Sequence, residues 1–521
     1  MSRQECAEAA LPDQTNFLPK RELITVFCTL SVCMTVCFID QNGIGTMLPS
    51  VSRDLHAENT ISWAGTSALI ANTVFQVLYG RLSDLFGRKV VFISALVLLS
   101  ISDLLCGLSV NPTMLYVFRA LAGVAGGGIT SLTMMIVSDI VSLEKRGRYQ
   151  GILGSMIGLG NLLGPLLGAT FSQLATWRAL YYLLCPIAAL CGVLSCWKVP
   201  STMRCSDYRA VVKKIDFYGL VTGSLAVICI LIPVSGGGSY FDWGSAFTIA
   251  MLTIGGLCAV AFVLVEWKVA ALPMLPLSLF HSVPVATMLL QNFLFGYAFY
   301  AYIYHLPLFF QNALGHTPLQ SALFVFPLVI AHALCSSLSG WYISARNRYI
   351  EVLWAGFALW TLAAALITLF DRALAPAAML PVLALCGAGV GLVFQPTLVA
   401  LQAHSPKKHR AVVIAARNFL RSLGGAVGLA AEAAVLQKAL RDKLPAPYKA
   451  LASSAFAAPE WGGGGGGVYG GVGVKFEDED EVRDAYAKAS RAVFVSLVPF
   501  LAACLLGCAL VRDCGLLGSC I

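Results

Sequence analysis

The chain has 521 residues and a formal net charge of +8; 58% of it is hydrophobic and 12% charged, with a mean hydropathy of +0.77. No soluble fold hides so much apolar surface, and disordered, collagen-like or disulfide-stapled chains need polar, periodic or cysteine-dense sequences, so the class left is an all-α polytopic membrane protein. The modest positive charge fits asymmetry across a bilayer as well as an anionic partner, and nucleic acid is set aside as a partner. A polar tail, residues 1–22, with no cleavable leader, leads into apolar spans near 23–47, 61–80, 90–108, 113–138, 149–171 and 179–197. A basic linker and two spans near 217–234 and 246–266 follow, then six more near 283–310, 319–343, 351–370, 377–400, 411–436 and 492–511. The predicted organisation is therefore fourteen spans: a six-helix bundle over 23–198, an inserted pair within 199–282, a second six-helix bundle over 283–511 and a tail, 512–521.

With the N-terminus inside, the cytoplasmic segments hold Arg81, Arg88, Lys89, Lys145, Arg146, Arg148, Arg204, Arg209, Lys213, Lys214, Arg346, Arg348, Lys407, Lys408 and Arg410. The short outer loops hold only Arg53, Arg178 and Arg372, so retention of positive charge puts both termini in the cytoplasm. A long outer segment, 437–491, contains the run Gly462–Gly467 and the acids Glu477, Asp478, Glu479, Asp480 and Glu481; its start reads as an interfacial helix and the remainder as a solvated tether. The two bundles repeat: Gly80, Asp84, Gly87 and Arg88 after the second span match Gly340, Ser344, Asn347 and Arg348 after the tenth.

The spans contain few ionisable groups, and each needs a reason to be there. Asp40 lies deep in the first span beside Gln41 and Asn42; it is a proton-coupling candidate or the permanent partner of Arg119 in the fourth span. Arg119 either faces such a partner or snorkels to the outer surface, and Gly123, Gly127 and Ser131 follow at four-residue steps. The loop from Gly80 through Asp84, Gly87 and Arg88 is a tight turn whose charges either make switchable contacts or simply set topology. In the fifth span Gly160, Gly164 and Gly168 make a bare stripe, for close packing or a dedicated role, and Pro165 removes the bond to the Asn161 carbonyl. The ninth span is aromatic, with Gln291, Asn292 and Tyr300 as cavity candidates, and the thirteenth carries Arg417, Arg421 and Glu432. Arg421 and Glu432 are about 16 Å apart along a helix, so each must find another partner. His332 reads as an interior residue with a hydrogen bond. Most of the seventeen cysteines lie in apolar segments and read as packing residues. No phosphate-binding loop, metal-ligand spacing or catalytic constellation is visible, so neither an enzyme nor a bound metal or cofactor is expected.

These motifs resemble the major facilitator superfamily, whose loop signature is matched at Gly80, Leu82, Asp84, Gly87, Arg88 and Lys89, with Leu85 where a base is usual. Asp40, Leu48 and Pro49 resemble the first span of its fourteen-span drug:proton antiporter branch, with Asn42 in place of Thr; the Gly160–Gly168 stripe with Pro165 resembles the antiporter motif, with Ala169 where a second glycine is common. Trp177, Arg178, Glu266, Pro273, Pro276 and Phe280 also fit. The resemblance implies a fungal-type efflux pump. Asp40 and Arg119 would couple protons, the Gly80–Arg88 loop would latch the halves, and Gly160, Gly164, Pro165 and Gly168 would set the direction of transport. Gln41, Asn161, Gln291, Asn292, Tyr300, Arg421 and Glu432 would line the substrate cavity. The expected activity is export of small amphipathic organic compounds across the plasma membrane, by a monomer driven by the proton gradient alone. The alternative is a vacuolar carrier for basic or other amino acids; a transporter-like receptor or a membrane enzyme fits less well.

Overall fold

The computed structural model describes residues 18–57, 60–61, 63–201, 216–236, 241–269, 273–275, 277–405, 410–454, 478–511 and 513. Six helices form the first bundle: α1 (Lys20–Asp54), α2 (Trp63–Phe86), α3 (Arg88–Gly107), α4 (Pro112–Ile140), α5 (Leu143–Leu174) and α6 (Arg178–Lys198). The inserted pair is α7 (Phe217–Gly236) and α8 (Ala246–Lys268). The second bundle comprises α9 (Val283–Asn312), α10 (Pro318–Arg346), α11 (Ile350–Ile367), α12 (Pro376–Phe394, continued as Pro396–Ala403), α13 (Arg410–Lys443) and α14 (Glu479–Gly507). Among the described residues 13 helices are long and apolar enough to cross a membrane, and α2, with 24 residues, completes the six-two-six pattern.

Local chemistry sets the helix ends. Asn111 accepts from the Met114 N–H at 2.8 Å ahead of Pro112, and Thr317 and Gln320 form a capping box ahead of Pro318; both leave a proline where no N–H is needed. Gly87 turns from α2 into α3 at φ 87°, and Asn347 performs the same turn after α10 at φ 55°. These are equivalent positions of the repeat, and both need a residue that tolerates the left-handed side of φ. Arg348 pairs with Asp513 at 3.6 Å, so Asp513 lies on the membrane face that holds the start of α1. We call this the terminal face.

The outer segment is shorter than the sequence suggested. Residues 437–443 are the last turns of α13, Ala446–Ser454 is a 3-10 helix, and Glu479, Asp480 and Glu481 open α14 instead of lying in a tether. Acids favour the positive end of a helix, and pairs of Glu479 with Arg483 and of Asp484 with Lys488 at 2.6 Å extend it beyond its apolar stretch. The run Gly462–Gly467, Glu477, Arg204, Arg209, Lys213, Lys214, Lys407 and Lys408 fall outside the described residues.

The bundles meet along two seams. Along α5 and α10, Gly147 and Gly151 face Gly340, Gly154 faces Ser336 and Gly158 faces Ala333, so two backbones touch with no side chain between them. Serines fasten this seam: Ser155 and Ser337 hydroxyls lie 2.7 Å apart and Ser336 donates to the Gly151 carbonyl at 3.1 Å. In the second seam Gly80 of α2 meets Ala411 and Ala415 of α13, and Ser422 donates to Gln76 at 3.1 Å. The repeat therefore places Gly80 and Gly340 at matching seams. These approaches occupy the terminal-face halves of the helices; from Gly160 onward α5 leans on α1 instead. The protein is closed at the terminal face.

The inserted helices stand beside the α2–α13 seam, with Val227 and Leu231 packed on Ile70, Val74 and Ala426. On α8 only Thr248, Gly255 and Glu266 are buried, while Leu257 and Trp267 are more than half exposed, as expected for a helix facing lipid. On the face opposite the termini, Arg178 and Trp177 both donate to Asp54, and the Arg178 hydrogen bond holds that carboxyl below its ordinary value.

A side chain at Gly340 would run into the Gly147 carbonyl. Gly340→Leu should destabilise the closed seam by about 1–3 kcal/mol and raise maleimide labelling of Ser337→Cys from the terminal face in a background without other reactive cysteines. Unchanged labelling would show that this glycine contact does not hold the seam.

Candidate functional site

Each bundle holds a group of buried charge. In the first, Asp40 of α1 and Arg119 of α4 are fully buried and joined Oδ1 to Nη1 at 2.5 Å. The guanidinium also reaches the Asp40 carbonyl at 3.5 Å and the Ala64 carbonyl at 3.4 Å, and lies 5.8 Å from the Tyr181 ring centre. Close helix approach makes this geometry possible: Gly126 leaves space for Gln41, and Gly123 and Gly127 lie against the α2 backbone at Ala68 and Asn72. Of the two readings of Arg119, the structure has the paired one. Asp103 of α3, which the sequence reading passed over, is also fully buried and acts electrostatically on the same pair. Its signal was available: one carboxylate in an otherwise apolar span.

The second group is on α13. Arg417 donates to Asn292 at 2.9 Å, to Asn418 at 3.0 Å and to the Phe394 carbonyl. Arg421, one turn on, lies over the Phe394 ring at 5.1 Å, and its Nε has no hydrogen-bond partner. No carboxylate pairs with either arginine among the described residues. Around them the buried Gln395 side-chain amide is unsatisfied at both ends and His332 Nε2 lacks the expected partner. Phe299 and Phe394 pack on His332, and Tyr300 packs edge-on against Phe299. The result is a cluster of unused polar groups with aromatic walls, joined to the first bundle where Asn418 donates to Ser131 at 3.4 Å.

Other sequence candidates are used differently. Glu432 accepts from Tyr297 at 3.0 Å and Ser496 at 2.6 Å, which ties α9 and α14 to α13 away from Arg421. Gln291 donates to the Cys504 carbonyl at 2.8 Å and belongs to the α9–α14 contact. Asn161 accepts from Asn42 at 3.0 Å, and Gln41 donates to Cys37 at 3.2 Å. Gly160, Gly164 and Gly168 lie against Phe38, Ile39 and Gly43 of α1; Pro165 leaves α5 unbroken, and its carbonyl accepts from Thr46 at 2.9 Å. This stripe is a seam within the first bundle. The glycines that meet the other bundle, Gly147 to Gly158, show the same small-residue spacing and were not singled out.

At the terminal-face loop, Arg88 bridges Asp84 at 2.7 Å and Asp139 of α4 at 2.9 Å and also donates to Ser83. Asp84 lies 3.9 Å from Arg81, which donates to the Pro273 carbonyl at 2.7 Å. These charged contacts stay within the first bundle and the segment after α8. Gly80 makes the cross-bundle approach, and in the repeat Ser344, at the place of Asp84, accepts from the Arg148 backbone at 2.9 Å across the α5–α10 seam.

Known proteins share this architecture. A sequence profile described as Major Facilitator Superfamily matches residues 30–429. Citrate exporter 1 of Yarrowia lipolytica is 44% identical over 510 residues, spanning 97% of this chain and 74% of that protein. The MFS-type transporter clz4 of Cochliobolus lunatus is 40% identical, spanning 97% and 89%, and the efflux pump dotC of Dothistroma septosporum 31%, spanning 93% and 83%. The crystal structure of the human organic anion transporter MFSD10 (TETRAN) superposes with a TM-score of 0.58 at 15% identity, over 93% of this chain and all of that one; this likeness is one of fold alone.

Removing Arg119 leaves Asp40 buried without its cation, so Arg119→Gln should lower the stability of the purified protein by about 3–5 kcal/mol. Asp40→Asn should cost less, because Asp103 is placed to take over the guanidinium. Thermal unfolding of both variants checks this; equal losses would contradict the arrangement.

Proposed function

Since the chain belongs to the major facilitator superfamily, a family of membrane transporters that includes fungal efflux pumps, we propose that it is a proton-coupled antiporter exporting small organic compounds that carry carboxylate groups. The observation that carries this reading is the pair Arg417 and Arg421, two buried guanidiniums one turn apart with no acidic partner among the described residues. A guanidinium does not lose its proton inside a protein, so the compensating charge has to come from something that binds. A carboxylate fits the donor fork, and Phe299, Tyr300 and Phe394 suit an amphipathic body. The name of one similar protein, a citrate exporter, agrees with that class. A basic amino acid, the alternative cargo, would meet two like charges here.

Proton coupling rests on Asp40 and Arg119 together with the stripe Gly160–Gly168, and needs no cofactor beyond the gradient. Lys and Arg retention supports placing the terminal face in the cytoplasm, which makes the present conformation one closed to the cytoplasm, with Gly80, Asp84, Gly87 and Arg88 at the closed end. Cargo enters from the cytoplasm when the α5–α10 and α2–α13 seams part, and leaves when they close. We assign the carrier to the plasma membrane, working as a monomer; a vacuolar location would send the same cargo into a store.

The test is binding to the purified protein. Citrate should bind and its trimethyl ester should not, and Arg421→Gln should weaken citrate by roughly tenfold to a hundredfold, the worth of one charged hydrogen bond. Equal binding of acid and ester would overturn the carboxylate reading.

A further inference from the structure

We propose that Asp103, rather than Asp40, is the residue that carries the exchanged proton. The inference rests on the proton-antiport reading and adds which carboxyl does the work. Asp103 is fully buried on α3, one turn before the helix ends at Gly107 on the face opposite the termini, about 6 Å from that end. Neither of its oxygens meets a hydrogen-bond donor, although its side chain is within hydrogen-bonding reach of Asp40.

The balance of charge selects between the two carboxyls. Arg119 spends its donors on the Asp40 carboxylate, the Asp40 carbonyl and the Ala64 carbonyl, so one cation serves two carboxyls. The other titratable groups facing Asp103 are Cys37 and Asp40 from α1, Cys106 of α3 itself, and Tyr181 and Cys185 from α6; none of them brings positive charge. Two carboxylates within contact distance in an apolar pocket do not both stay ionised. The cation is taken by Asp40 through its 2.5 Å pair with Arg119, which leaves Asp103 as the carboxyl that takes a proton. Protonated, it donates to Asp40 and gains the partner it otherwise lacks.

The cycle balances with one proton. Water on the face opposite the termini supplies H⁺ to a carboxylate oxygen of Asp103, and the cluster goes from one net negative charge to none. When the bundles rock and the terminal face opens, the same proton leaves to water on that side and the negative charge returns. No other bond forms or breaks. Asp40 and Arg119 remain a fixed pair that sets the field in which Asp103 titrates.

The full-length protein is measured by infrared spectroscopy between acid and alkaline buffer, in H₂O and D₂O, beside transport in proteoliposomes with citrate as the probe. Wild type should show a deuterium-sensitive protonated-carboxyl stretch that titrates. Asp103→Asn should lose it while keeping the Asp40–Arg119 pair, wild-type thermal stability and citrate–citrate exchange, and should lose all accumulation driven by a pH gradient. Asp103→Glu should restore a titrating band at a shifted position. Persistence of the band in Asp103→Asn, an unshifted band in Asp103→Glu, or gradient-driven accumulation by Asp103→Asn would overturn the assignment. If wild type moves no citrate but the bands behave as described, the carboxylate-cargo reading fails and the assignment of the proton site stands. Should Asp103→Asn not fold, the band position in Asp103→Glu decides.

Discussion

The constraint that organises this protein is the penalty for keeping an ionised side chain away from water, and its two bundles meet it in opposite ways. In the first, Arg119 has carboxyls to spare: Asp40 in contact and Asp103 beside it. In the second, Arg417 and Arg421 are held by amides, a carbonyl and an aromatic ring, with no acid among the described residues. One side has an excess of negative charge that a proton can remove, and the other an excess of positive charge that an anion can satisfy. The proposed exchange of protons for organic anions rests on this asymmetry.

Movement needs a different chemistry, because a seam that forms and parts in every cycle must be close without being strongly bonded. Backbone approach at Gly147, Gly151 and Gly340, with a few serine hydrogen bonds, supplies dispersion over a large surface and little that is costly to break. Arg88 bonds Asp84 and Asp139 within one bundle and stiffens the end of that bundle, while Gly80 and Ser344 touch across. The inserted α7 shields the α2–α13 seam from lipid and does not enter the central site.

The sequence made the helix pattern legible because length and apolarity decide it, and it made the repeat legible because Gly80 and Gly340, and Gly87 and Asn347, meet the same steric demand twice. It also narrowed Arg119 to two readings, since a guanidinium in a span has few options. It did not show which face a polar residue takes. Gln291 and Glu432 turned to α14, and Asp103 turned to Asp40, through rotations that spacing alone does not define. Nor did it show which of the α5 glycines faces the other bundle, because the stripe from Gly147 to Gly158 and that from Gly160 to Gly168 have the same texture. The start of α14 lies earlier than apolarity alone places it, because charged residues with partners one turn away extend a helix beyond its apolar core.

The most direct measurement is efflux of labelled citrate from proteoliposomes while the pH on the two sides is set independently. The account predicts that acid on the face opposite the termini speeds efflux, that each departing anion is matched by protons entering the lumen, and that a protonophore abolishes the acceleration. Efflux at one rate regardless of which side is acid, with no proton entry, would contradict it.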